Sequence, residues 1–120
     1  MLTKSQNCHL EVEDIGDVSL VRFTSKRLLD PTEIQLVGME LFRLVDELGR
    51  RHVILDLGNV EYVSSAALGK FITLNKKVQG KGGKLVMCNI NDDIFEVFEI
   101  TRLDRLFNIQ KDEQSALQTF

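Results

Sequence analysis

One stretch constrains this chain more than any other. Val53-Ile54-Leu55-Asp56-Leu57 is a short apolar run of strand length. A polar turn from Gly58 to Tyr62 follows, and then Val63-Ser64-Ser65-Ala66-Ala67-Leu68-Gly69-Lys70-Phe71-Ile72, where the apolar positions take up helical spacing. The two adjacent serines stand where the helix begins. The first N–H groups of a helix lack intrahelical partners and its dipole favours negative charge, so a phosphate on either hydroxyl is well accommodated. Serine at such a position also serves as a plain helix cap.

The flanking segments extend this unit into a fold. Leu10-Glu11-Val12-Glu13 and Val18-Ser19-Leu20-Val21-Arg22-Phe23 alternate apolar and polar residues around Asp14-Ile15-Gly16-Asp17, which predicts a leading β-hairpin. The second strand has Val18, Leu20 and Arg22 on one face and Val21 and Phe23 on the other, which leaves apolar residues on both, so it is expected to be covered on both sides. Asp30-Pro31-Thr32-Glu33 is a helix start: Asp caps, Pro fits the first helical position, and Glu33 can bond back to the cap. Ile34, Val37, Leu41, Leu44, Val45 and Leu48 then form one stripe, and Gly49 supplies the stop.

Beyond the central unit, a helix to about Gln79 leads into a strand over Lys84–Cys88. Asn91-Asp92-Asp93 offers caps for a third helix with Ile94, Val97, Phe98 and Thr101 facing inward. A short strand is expected over Leu106–Ile109, and a terminal helix over Asp112–Phe120 with Ala116, Leu117 and Phe120 facing in. This alternation predicts one α/β domain over residues 1–120, with parallel strands joined by right-handed crossovers: a mixed sheet of about four or five strands, a leading hairpin then βαβ units, and about four helices.

Composition narrows the function. At 120 residues the chain buries about two thirds of its unfolded surface in one core. A net charge of −3 argues against a general nucleic-acid surface. Met1 to Asn7 holds no run of signal-peptide length, and no stretch approaches the roughly 18 apolar residues that span a bilayer, so a cytoplasmic protein without membrane insertion is expected. Cys8 and Cys88 are too few for a disulfide framework or thiolate metal site and read as free thiols. His9 and His52 lack a partner at ligand spacing, so no metal is expected.

Two catalytic readings fail on spacing. Gly80-Lys81-Gly82-Gly83-Lys84 leaves a helix and enters a strand, the reverse of a phosphate-binding loop, and continues to Leu85 in place of Ser or Thr; it reads as a helix C-cap and turn. A hydrolase nucleophile at Ser65 needs glycines where Val63 and Ala67 stand. Both histidines lie at strand starts, whereas this turn lies at a strand end.

The segment Leu55-Asp56-Leu57 followed by Val60-Glu61-Tyr62-Val63-Ser64-Ser65-Ala66-Ala67-Leu68-Gly69 resembles the central motif of STAS domains, the family of bacterial anti-sigma factor antagonists and sulfate-transporter tails. There a strand ending in Leu-Asp-Leu leads to an Asp-Ser-Ser/Thr-Gly-Leu-Gly turn that begins a helix. Leu29-Asp30, the strand entry from Gly82 to Met87 and Thr101-Arg102-Leu103-Asp104-Arg105-Leu106-Phe107 resemble further family segments, the last of them a Thr-Gly-Leu-Asp-x-Leu-Phe turn.

Counted back from Leu68-Gly69, the resemblance places the phosphorylated serine at Ser65. The preceding Asp is replaced by Ser64, the following Ser or Thr by Ala66, and the Gly by Ala67, which adds a methyl where a kinase would approach. Asp30 and Asp56 match family carboxylates near the phosphosite, and each is equally readable as a cap or strand-end residue. The resemblance implies a binding module without catalysis or cofactor. Unphosphorylated, it docks on an anti-sigma factor or serine protein kinase; it is released on phosphorylation and reset by a serine phosphatase. The other reading is a constitutive scaffold STAS module in a larger assembly, with Ser65 only a helix cap.

Overall fold

The structure is a computed structural model that describes residues 4–6 and 9–120, so Cys8 lies outside the described residues. Its frame is a six-stranded mixed sheet. The strands are β1 (Lys4–Gln6), β2 (Leu10–Ile15), β3 (Val18–Phe23), β5 (His52–Asp56), β7 (Lys84–Cys88) and β8 (Asn108–Gln110), in that spatial order. The expected hairpin is β2–β3, closed at Gly16, whose φ of +60° is costly for any residue with a Cβ. From β3 onward the pairs are parallel, β3 with β5, β5 with β7 and β7 with β8. The alternation of strands and helices predicts this, and the edge strand β1, antiparallel to β2, is one strand more than expected. A second, two-stranded sheet was also not foreseen: β4 (Arg27–Leu28) and β6 (Tyr62–Val63), each too short to show a pattern.

Helices α1 (Pro31–Asp46), α2 (Ser65–Gly80) and α3 (Asp92–Ile100) cover one face of the sheet, and the short α4 (Glu113–Leu117) covers the other. Strand alternation sorts the core accordingly. Val21, Phe23, Val53, Leu55, Leu57, Leu85 and Met87 meet the three long helices, while Val18, Leu20, Ile54, Val86 and Cys88 meet Ala116 of α4. The expectation that β3 is covered on both sides holds.

Several side chains depart from their expected places. Asp30 caps α1 through the Glu33 N–H at 2.9 Å, but the Glu33 carboxylate does not return to the cap; it lies 3.1 Å from His9 Nδ1 and accepts from Ser25. Leu48 is exposed because α1 stops at Asp46, two residues before it. In α3 only Ile94 and Phe98 are buried. Val97 faces outward, and Thr101 is the C-terminal cap, its hydroxyl donating to Val97 O. Leu106 is exposed and outside any strand, while Phe107 stacks beside Phe98 at 5.9 Å, so the last strand starts only at Asn108. Phe120 lies beyond α4 and is exposed at 39 %, its ring resting on His52 and Lys84. At the glycine-rich turn Gly82 has φ +74°, and a Cβ on Gly83 would stand 1.9 Å from Arg51 O, so steric need accounts for the glycines.

Candidate phosphoacceptor site at the start of α2

The loop from β5 to α2 is built by a series of backbone ties. After Asp56, the Gly58 N–H donates to the Asp56 carboxylate at 2.7 Å, Val60 closes a turn on Leu57 O, and the Val60 side chain is buried. Glu61 and Tyr62 both donate to Lys26 O, and Ser64 donates to Leu28 O at 2.9 Å. The chain leading into α2 therefore runs beside the chain leading into α1, in the parallel register Arg27 to Tyr62 and Leu28 to Val63. Asn91, the cap of α3, donates from Nδ2 to Val60 O and accepts from the Ile94 N–H. Three helix N-termini thus open at one end of the sheet, capped by Asp30, Ser64 and Asn91.

The two serines have separate roles in this geometry. Ser64 is the cap: its backbone is extended at φ −92° and ψ 166°, and its hydroxyl accepts from the Ala67 N–H at 3.2 Å. Ser65 is the first helical residue and is exposed, as is Ala66. Capping, which the sequence allowed for either serine, falls to Ser64, and the reading of Ser65 as only a helix cap is corrected on that point. A phosphate on Ser65 would sit at the positive end of the α2 dipole, where the Ser65 and Ala66 N–H groups have no intrahelical partner.

Two other expectations change. Ala67 is 3 % exposed and belongs to the core, so its methyl points toward the sheet and not toward an approaching kinase. Asp56 is on the opposite face from α2. The alternation of β5 turns it with Ile54 toward α4, where it shares a hydrogen bond with Glu113. Asp30 does lie on the α2 side, at the helix end placed beside Ser64 by the β4–β6 pairing.

Around Asp56 lies a polar cluster that sequence reasoning missed. Arg22 donates to both Glu113 oxygens at 2.8 and 2.9 Å and to Glu13 at 2.9 Å. Burial and the hydrogen bond with Glu113 hold the Asp56 carboxyl above its usual range, while Arg22 holds Glu113 below its own. Burial, reinforced by Asp56 and Glu113, pushes the Cys88 thiol up to about 12. Cys88 is a free thiol, as expected, and is buried. The apolar neighbours of Arg22 in β3 hinted at its face; the partner from α4, ninety-one positions away, was not readable.

Comparison with known proteins decides the family. The sequence profile of the STAS domain matches residues 9–116. The chain belongs to the STAS family. Among relatives, it is 36 % identical over 81 residues to the candidate anti-sigma factor antagonist BtrV of Bordetella bronchiseptica, covering 68 % of this chain and 69 % of that one. It is 25 % identical to the anti-sigma F factor antagonist of Paenibacillus polymyxa, over 92 % and 93 % of the two chains. The fold superposes with a TM-score of 0.80 on the crystal structure of a candidate anti-sigma factor antagonist from Thermotoga maritima, at 23 % identity over 90 % and 91 % of the chains. It also superposes, at 0.72 and 12 % identity over 92 % and 99 %, on the phosphorylated form of the Bacillus cell fate determinant SpoIIAA. In this STAS domain the described residues contain no group of three or more His, Cys, Asp or Glu able to hold a metal, and no helix long and apolar enough to cross a membrane.

Proposed function

We propose that this STAS domain is an anti-sigma factor antagonist switched by phosphorylation of Ser65, a protein-binding module of the cytoplasm with no catalysis of its own. The observation that carries the reading is the division of labour at the start of α2. Ser64 supplies the cap, which leaves the Ser65 hydroxyl exposed at the helix N-terminus. Unphosphorylated, the domain docks this end on an anti-sigma factor that is also a serine protein kinase, and so frees a sigma factor. Phosphorylation releases it, and a serine phosphatase resets it.

The energetics suffice. Phosphoserine adds about −1.5 to −2 charges. A single like-charge pair at ~5 Å and an effective dielectric of ~20 costs about 3 kcal/mol before screening, or roughly two decades of affinity. The helix N-terminus tolerates the charge in cis; a close-packed or acidic partner surface does not.

The test is phosphorylation by the serine kinase recovered with this chain in a pull-down, followed by mass-spectrometric mapping. Phosphate is expected on Ser65, retained in Ser64→Ala and lost in Ser65→Ala; phosphate elsewhere, or none, overturns the reading. Ser65→Asp should bind that partner about a hundredfold more weakly at unchanged stability.

A further inference from the structure

A groove of about 110 Å³ lies between β6 and α3, immediately before Ser65 in the chain, lined by Glu61, Tyr62, Val63, Asp93, Ile94 and Val97. Its make-up is mixed in a particular way. Val63 and Ile94 form a buried or half-buried apolar floor, Tyr62 and Val97 are exposed walls at 49 % and 37 %, and Glu61 and Asp93 are exposed carboxylates. The volume is well below the roughly 300 Å³ where small-molecule pockets begin, so it suits one side chain better than a metabolite. The carboxylates disfavour an anion.

The helix that forms one wall strengthens the point. All four charged residues of α3, Asp92, Asp93, Glu96 and Glu99, are acidic. The first two complement the helix dipole, but Glu99 stands in the last turn, where a carboxylate opposes it, so helix stability does not account for the acidity. The Tyr62 ring already carries one guanidinium, Arg27, 5.1 Å from its centroid.

We propose that this groove seats a basic side chain, arginine in particular, presented by the protein that docks beside Ser65. An arginine stem lies along apolar walls while its planar head pairs with carboxylates and stacks on an aromatic ring; the strongly hydrated lysine ammonium does so less well. The inference rests on the reading of this end of the domain as a protein-docking surface, and it adds the partner chemistry: a cationic anchor on an acidic ridge, separate from the phosphorylated hydroxyl.

Its test uses acetyl-arginine amide as probe and acetyl-citrulline amide, the same shape without the charge, as control, titrated into the isotope-labelled protein and followed by NMR. Arginine-specific shifts are expected at Tyr62, Val63, Asp93 and Val97, retained in Ser65→Asp and reduced at least about tenfold in the double variant Glu61→Gln, Asp93→Asn, whose remaining spectrum reports an intact fold. Equal responses to both probes, shifts elsewhere, or none overturn the proposal and leave the assignment of Ser65 standing. If Ser65 proves unmodified while the groove responds, the switch fails and the anchor remains.

Discussion

On the face under α1, α2 and α3, the inward side chains of β3, β5 and β7 are apolar apart from Ser19, and they pack against helix stripes that are apolar apart from Asn75. On the other face the same three strands send Arg22, Asp56 and Cys88 toward α4, a helix of only five residues, and Arg22 grips Glu113 with a two-pronged bond. The first face is held by area, which does not depend on protonation. The second combines a smaller apolar patch with charge, so its strength depends on protonation. Ser65 stands at the end of the first face, on a helix whose packing supports one exposed hydroxyl without needing it.

The largest expected effect separates the two faces. Phe71 is fully buried in α2 and packs on Phe23 with ring centroids 5.8 Å apart. Phe71→Ala should cost about 3–5 kcal/mol. Leu117, half-buried on the α4 side, should cost about 1–2 kcal/mol when changed to Ala. Urea unfolding of both variants measures the ratio; equal losses would break the contrast between an area-held and a charge-held face.

A smaller effect sharpens the account of the site. Ser64→Ala removes the cap of α2 and should cost about 1 kcal/mol, whereas Ser65→Ala, which removes an exposed hydroxyl, should stay within about 0.5 kcal/mol. A reversed order in thermal melts would mean that the two serines exchange roles in solution.

Periodicity alone made most of this fold readable. The stripe Ile34, Val37, Leu41 and the strand Val53–Leu57 each declare their period and their burial. The cap of α2 is legible as a pair of serines but not as one of them, because both positions fit and only the Ala67 N–H decides. What stayed hidden depends on distant partners. The β4–β6 pairing joins strands too short to show a pattern, and Asp56 enters as a site residue through the family resemblance, which carries no information on which helix covers its face. Arg102, where the family has glycine, is the converse case: resemblance marks the position, and the structure shows the left-handed φ of 64° that glycine would relieve.

The smallest effect tests the charge-held face through pH. The folded Asp56 carboxyl titrates above its ordinary range, so its contribution to stability is full below the unfolded value of about 3.9 and is lost as pH rises through the folded value. Glu113 runs the other way: its folded value is lowered, so its contribution is present above about pH 4.3 and lost as pH falls through that lower value. Asp56→Asn keeps an oxygen for the Gly58 N–H and places a neutral donor toward Glu113, which abolishes the first dependence and leaves the second. The variant should therefore be no less stable than the parent at pH 7, with any advantage shrinking as pH is lowered toward 4. Glu113→Gln should lose stability at pH 7 and approach the parent in acid. Urea midpoints at both pH values check the pair. If Asp56→Asn is destabilised equally at both, Asp56 is not sharing a proton with Glu113, and the charge on the α4 face reduces to the Arg22 ion pairs.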